Sequence, residues 1–287
     1  MKIAVVGIGL ISGSFCRAIK AKTVHKVYGW NRSRSVIREA FAEEAIDGEI
    51  RELSELRDFD LVILGFHPEL TLSFAKEHLD CFPAGGLTVD TCGVKESIVS
   101  ELQPLFDGAG RPFIGTHPMA GREFSGFQYS LASLYEGASW IVTPPADVNP
   151  AHMALLRRLA RELGFSRLVE TDPRTHDATI AYTSQVAHVL SNAYVKSPTL
   201  KNESGFSAGS FKDLSRVAKL NAGMWTELFM MNREALSFEI ETLIENLKSY
   251  DAALQAGDRE ELFRLLKEGN DLKEWSIDRE ARLRPEK

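Results

Sequence analysis

Residues 2–13, KIAVVGIGLISG, constrain this chain more than any other stretch. A continuous apolar run gives way, through Gly7 and Gly9, to a helical pattern with no intervening linker. An apolar run without alternation is the signature of a parallel strand buried on both faces. A glycine at the first loop position permits a tight turn. A glycine at the second lets an anion approach the backbone N–H groups at the helix N-terminus. The third position, usually glycine, holds Ser12, which is small enough for close helix–strand packing, and Gly13 follows it. A second strand, KVYGWN, comes within about 30 residues, the order and span of a dinucleotide-binding βαβ unit. The loop therefore predicts that Gly7, Gly9, Leu10, Ile11 and Ser12 cradle a pyrophosphate.

The β-rich runs continue as DLVILGF, GLTVDTC, RPFIGTH, ASWIVTP and SRLVET, alternating with helical stretches. From about Asp172 the strand signal stops and helical periodicity takes over. The expected fold is α/β: a Rossmann-type doubly wound parallel sheet domain over 1–171, then an all-helical domain over 172–287. At 287 residues there is room for two cores. A net charge of −6 argues against a nucleic-acid footprint, so an anionic ligand must be held by a few placed cations. Three cysteines without a CxxC pair fit a reducing compartment, core roles and no metal site. The first strand begins at Lys2, and no apolar run approaches the ~18 residues of a membrane span. The expected setting is cytoplasmic, with no membrane partner.

The end of the second strand normally discriminates between the two nicotinamide dinucleotides. A carboxylate there binds the ribose 2′-hydroxyl and repels a 2′-phosphate. This chain has Asn31, Arg32, Ser33, Arg34 and Ser35, with no acid, two guanidinium groups and two hydroxyls. That set favours NADP, with NAD possible. Phe66 and His67, at the end of the DLVILGF strand, are expected to line the nicotinamide or ribose side.

Seven histidines compete for a chemical role. His25, His78 and His152 lie in stretches without a polar constellation, and His176 reads as a residue that caps or orients a helix start. His117 is the candidate catalytic group. The following Pro118 disfavours helical geometry at His117 and so keeps it extended at the end of the RPFIGTH strand. Strand carboxyl ends are where ligands bind in open α/β sheets. A neutral imidazole there can accept a hydroxyl proton as hydride leaves the same carbon.

Downstream, Asp177, Ala181, Ser184 and His188 follow i, i+4, i+7 and i+11 and are expected on one helical face. Asp213 stands three residues before Arg216, within pairing reach. From Met224 to about Leu254 an apolar stripe of Trp225, Leu228, Phe229, Leu236, Ile240, Leu243 and Leu247 predicts one long helix, shared between chains in an oligomer.

The motifs GIGLISGS, VDTCGVK, GTHPMAGREFSG, HDATIAYTSQVAH and SFKDLSRVAK…MWTELFMMN together resemble the prephenate and arogenate dehydrogenases of tyrosine biosynthesis, over nearly the whole chain. The resemblance implies a homodimer that oxidatively decarboxylates prephenate, or arogenate, with hydride transfer to the nucleotide. It implies that His117 polarises the substrate 4-hydroxyl, that Arg216 binds a substrate carboxylate and is oriented by Asp213, and that His188 lines the substrate pocket. Two positions depart from the family pattern. Gly93 stands where many members have a serine that touches the substrate hydroxyl, and Gln185 replaces a histidine. Both bear on substrate side-chain specificity. Two other readings fit the architecture: an NADP-dependent hydroxyacid or imine oxidoreductase, and an NADP(H)-binding redox sensor without turnover.

Overall fold

The computed structural model describes residues 1–122 and 124–283. Glu123, within the HPMAGREFSG motif, lies outside the described residues. Among those described, eight strands form one sheet: β1 Lys2–Val6, β2 Lys26–Trp30, β3 Gly48–Glu49, β4 Leu61–Leu64, β5 Leu87–Asp90, β6 Phe113–Pro118, β7 Ser139–Thr143 and β8 Arg167–Glu170. Their order is β3-β2-β1-β4-β5-β6-β7-β8. Sheet growth reverses direction between β1 and β4, which creates the crevice at the strand carboxyl ends where such sheets bind ligands.

Strand β1 shows why the sheet is covered on both sides. Ile3 and Val5 enter one core with Phe15, Ile19, Tyr135 and Trp140. Ala4 and Val6, pointing the other way, enter a second core with Val62, Phe82, Leu102 and Phe106. With alternate residues buried on opposite faces, no polar position is left in the strand beyond the exposed Lys2, hence the unbroken apolar run. The helices between strands are α1 Leu10–Lys22, α2 Arg34–Ala42, α3 Pro68–Glu77, α4 Glu96–Gly108 and α5 Pro150–Leu163.

The sheet departs from the expected parallel pattern at one place: β7 runs antiparallel to β6, with His117 opposite Ile141. Among its described residues, the intervening segment carries a short 3-10 turn at Phe127–Tyr129 and not the crossover helix that a parallel return requires. The two-residue β3 was not anticipated either.

Beyond the sheet lie α6 Pro173–Ile180, a π-helical turn at Ala181–Gln185, α7 Val186–Tyr194, α8 Gly209–Ser215, α9 Ala222–Met231, α10 Arg233–Ala256 and α11 Arg259–Leu283. The single helix expected from Met224 onward is two, separated at Asn232. The π turn likewise interrupts the regular spacing expected through Asp177, Ala181, Ser184 and His188. By contacts, Met1–Leu236 forms one compact unit and a second begins at Ser237. Within that second unit, Gly257 at φ +63° turns the chain, and Tyr250 donates to the Leu265 carbonyl at 3.1 Å. No helix among the described residues is long and apolar enough to cross a membrane.

Candidate active site

The β1–α1 loop has a shape that only small residues allow. Gly7 sits at φ +84°, and a Cβ there would lie 2.4 Å from the Phe66 ring. A Cβ on Gly65, after β4, would meet the Ser12 Cβ at 2.4 Å and the Gly7 carbonyl at 2.5 Å. Ser12 does more than fit. Its hydroxyl donates to the Gly7 carbonyl and accepts from the Gly9 N–H at 3.0 Å, so it braces the loop from within. Gly9, by contrast, is open: nothing lies within 4 Å of the Cβ position. The first-turn N–H groups of Leu10 and Ile11 have no intrahelical acceptor, by helix geometry. A braced loop, an open second glycine and a helix N-terminus fit a dinucleotide pyrophosphate.

At the end of β2, Asn31 Oδ1 accepts from the Ile8 N–H at 3.2 Å, which ties the loop to the adenosine-side strand. Arg32, Ser33 and Arg34 are exposed. Ser33 and Ser35 share a hydroxyl hydrogen bond of 2.7 Å, and Arg34 pairs with Glu49 of β3 at 2.9 Å. Glu49 is the acid that no local reading of NRSRS includes. Phe66 packs against Trp30 and Phe74, and His67 is exposed at the start of α3. The Glu227 carboxylate of α9 accepts from the Glu69 N–H at 2.7 Å, one residue beyond Pro68.

His117 stands near the end of β6, held from two sides. Asp90, at the end of β5, accepts from the N–H of Thr116 at 2.8 Å and from that of Cys92 at 2.8 Å, and it pairs with the fully buried Lys95. The residue before His117 is thereby pinned to the neighbouring strand. On the other side, His117 Nδ1 lies 3.0 Å from His176 Nε2, and His176 Nδ1 lies 2.6 Å from Asp177 Oδ1. Asp177 also accepts from the N–H groups of Lys95 at 2.7 Å and Glu96 at 2.8 Å, which anchors it to the start of α4. Burial, together with the charge of Lys95 and that of His176 in its protonated form, holds the His117 imidazole well below the usual histidine range. Burial also lowers His176, against the opposing pull of Asp177. The Nε2 edge of His117 faces Gly93, whose Cβ position is 3.8 Å away.

His176 is the residue that the sequence reading misjudged. The cap of α6 is Asp172, whose carboxylate accepts from the Thr175 N–H at 2.9 Å, while His176 is buried against His117. The only local hint was the adjacent carboxylate in HDATIAYTSQVAH.

Gln185 is also buried. Its side-chain oxygen accepts at 2.8 Å from Asn232 Nδ2, which donates to the Asp177 carbonyl at 2.8 Å as well. The break between α9 and α10 is what turns Asn232 inward to make these bonds. His188 is half-buried, its ring stacked on Trp225 at a centroid distance of 3.8 Å, with Nδ1 2.9 Å from the Ser184 carbonyl. Burial lowers its pKa and the charge of Arg216 adds to the effect, although the Ser184 carbonyl opposes them. Arg216 itself is exposed, in the short turn after α8. The structure thus brings His117 to Gly93, and His188 near Arg216.

Comparison with known proteins supplies independent findings. Residues 15–169 match the family model "Prephenate dehydrogenase, nucleotide-binding domain", and 172–268 match "Prephenate dehydrogenase, dimerization domain". The prephenate dehydrogenase of Lactococcus lactis is 27% identical, over 95% of this chain and 77% of that protein. The cyclohexadienyl dehydrogenase of Zymomonas mobilis is 27% identical, over 93% and 92%. The crystal structure of prephenate dehydrogenase from A. aeolicus in complex with hydroxyphenyl propionate and NAD+ superposes with a TM-score of 0.85 at 28% identity, covering 96% of this chain and 98% of that one. That of Synechocystis arogenate dehydrogenase does so with a TM-score of 0.83 at 25% identity, covering 96% and 100%.

Proposed function

The chain belongs to the prephenate dehydrogenase family, and from that membership we propose that it converts prephenate to 4-hydroxyphenylpyruvate and carbon dioxide, with NADP favoured over NAD. When bound, the oxidised nicotinamide supplies the hydride acceptor. His117 Nε2 accepts the proton of the substrate 4-hydroxyl as hydride leaves C4. The C1 carboxylate then departs as carbon dioxide, its bonding electrons aromatise the ring, and His117 returns the proton to the phenolate oxygen. No net proton is consumed. A base held neutral by burial is ready to accept at pH 7.

The observation that carries this reading is the imidazole near the carboxyl end of β6, its Nε2 facing Gly93. Arg216 and His188 are assigned to substrate binding, with Gln185 supporting the pocket wall from behind through Asn232. The exposed Arg32 and the neighbouring Arg34 support NADP. We assign residues 1–171 to nucleotide binding and 172–287 to substrate binding and dimerisation, in a cytoplasmic homodimer. The large apolar side chains left exposed in α10 and α11, among them Phe238, Leu247, Phe263, Leu266 and Trp275, are consistent with a partner subunit.

The test is the rate of nicotinamide reduction with prephenate and with arogenate, each against NADP and NAD. Prephenate with NADP should give the highest kcat/KM, and His117→Asn should lower kcat by about 10²- to 10⁴-fold with nucleotide affinity unchanged. Turnover of arogenate alone would overturn the substrate assignment, and full activity of His117→Asn would overturn the base.

A further inference from the structure

Resting on the role assigned to His117, we propose that His176 and Asp177 are positioning residues that lock His117 in the tautomer carrying its proton on Nδ1, with the Nε2 lone pair aimed toward Gly93. The argument is one of donor and acceptor accounting. The Asp177 carboxylate accepts backbone N–H groups from Lys95 and Glu96, and an ionised carboxylate can only accept. Its third contact, at 2.6 Å, is therefore made by a proton on His176 Nδ1. A neutral His176 then has a bare lone pair on Nε2. The 3.0 Å contact from that atom to His117 Nδ1 is a hydrogen bond only when His117 Nδ1 carries the proton. His117 Nε2 is left as the acceptor.

The alternative assignment gives His176 both protons and makes His117 Nδ1 the acceptor, which would protonate the edge that must take up the substrate proton. It requires an imidazolium on a ring that is 2% exposed and feels the cation of the fully buried Lys95. Burial disfavours that charge. The titratable groups around the pair are Asp90 and Lys95 from the β5–α4 side and Asp177 from α6, all buried; Glu96 is exposed. Asp90 is occupied by Lys95 and two backbone N–H groups and acts on His176 through its charge, whereas Asp177 is the carboxylate that bonds the ring.

The arrangement also serves the protonated state. When His117 takes a proton on Nε2, Nδ1 goes on donating to His176, and nothing in the relay has to rotate. Dipoles already oriented for the charge that develops cost no reorganisation during the reaction. Asp177 can hold this line because two N–H groups at the start of α4 fix its carboxylate.

The decisive measurement is a multiple-bond ¹H–¹⁵N correlation spectrum of full-length protein labelled with ¹⁵N-histidine, with His117 assigned from the His117→Asn spectrum. Near pH 7.5, His117 should show a protonated Nδ1 and an unprotonated Nε2. The opposite pattern in the unmodified protein overturns the proposal, whether or not any variant folds. In His176→Phe, which offers no acceptor, the Nδ1–H form should lose its dominance and kcat should fall by about 10²-fold. The acid limb of kcat/KM should move to lower pH, because the imidazolium loses its Nδ1 partner. His176→Gln, whose side-chain oxygen can accept from Nδ1, should recover most of both effects. An unchanged tautomer and pH profile in His176→Phe would also overturn it. The spectrum needs no substrate, so a failed prephenate assay with an Nδ1–H signal would overturn the substrate assignment and leave the relay standing.

Discussion

Lys95 is the residue whose loss should most sharply separate scaffold from chemistry. Its ammonium is fully buried and its partner Asp90 is fully buried too. Lys95→Met keeps most of the volume and removes the charge, which leaves the buried Asp90 carboxylate with the Thr116 and Cys92 N–H groups as partners. Removing one member of a buried pair costs about 3–5 kcal/mol. The two remaining charge-assisted bonds offset part of that, so the lower end, about 3 kcal/mol, is expected. For a unit of this size, each kcal/mol moves Tm by roughly 2–4 °C, giving a fall of about 6–12 °C by calorimetry. The double variant Lys95→Met/Asp90→Asn should regain much of the loss, since it carries no stranded charge. Lys95 also presses the His117 pKa down. Lys95→Met should therefore move the acid limb of kcat/KM to higher pH, opposite to the shift expected for His176→Phe. A Tm change under about 2 °C, or strictly additive single and double variants, would refute the claim that the pair acts as a coupled buried unit.

Other expectations follow from the same geometry. Replacing Arg32 and Arg34 with alanine should raise KM for NADP far more than for NAD. Glu49→Gln, which frees Arg34 from its 2.9 Å ion pair, should shift preference further toward NADP; equal effects on both nucleotides would remove these residues from 2′-phosphate recognition. Gly93→Ser should fold normally, because its Cβ would lie 3.5 Å from Leu228 and 3.8 Å from His117 Nε2, and a hydroxyl there can reach the substrate hydroxyl. One added hydrogen bond of about 1 kcal/mol should raise kcat/KM by roughly fivefold. A fall instead would mean that the serine binds Nε2 in place of the substrate. Burial lowers the pKa values of His117, His176 and His188 below the ordinary 6.5. Their contribution to stability is thus complete above pH 6.5 and lost as pH falls from there toward the folded-state values, since the unfolded chain takes up the protons first. The urea midpoint should drop between pH 7.5 and 5, less steeply in His117→Asn, and a flat profile would contradict the burial of these rings.

What could be read in advance divides along physical lines. β1 and β4 were legible because a strand buried on both faces has no choice but to be apolar throughout, and the Gly7–Gly9 loop because a φ of +84° and a 2.4 Å approach to Phe66 leave glycine as the residue that fits. The antiparallel β7 was not legible, since an apolar run carries no sign of its direction; the described residues of the β6–β7 segment form no crossover helix. The apolar stripe from Trp225 onward conceals the break at Asn232. At that break Asn232 bonds to Asp177 and Gln185, 55 and 47 residues away in sequence.

The relay behind His117 has the same character. His176 lies 59 residues from His117, and Asp177 lies 82 from Lys95, so neither bond leaves a periodic trace. Hydrophobic burial is non-directional and is satisfied by any apolar side chain of suitable size. A buried hydrogen bond admits only a matching donor and acceptor at the right distance. Residue patterning therefore reported the sheet and the nucleotide loop, whereas the tautomer proposed for His117 depends on bonds between α6, β6 and the start of α4 that only the folded chain brings together. Asn232 belongs with them: standing at the end of α9, it donates to the Asp177 carbonyl, which links that helix end to the backbone of the relay through one side chain.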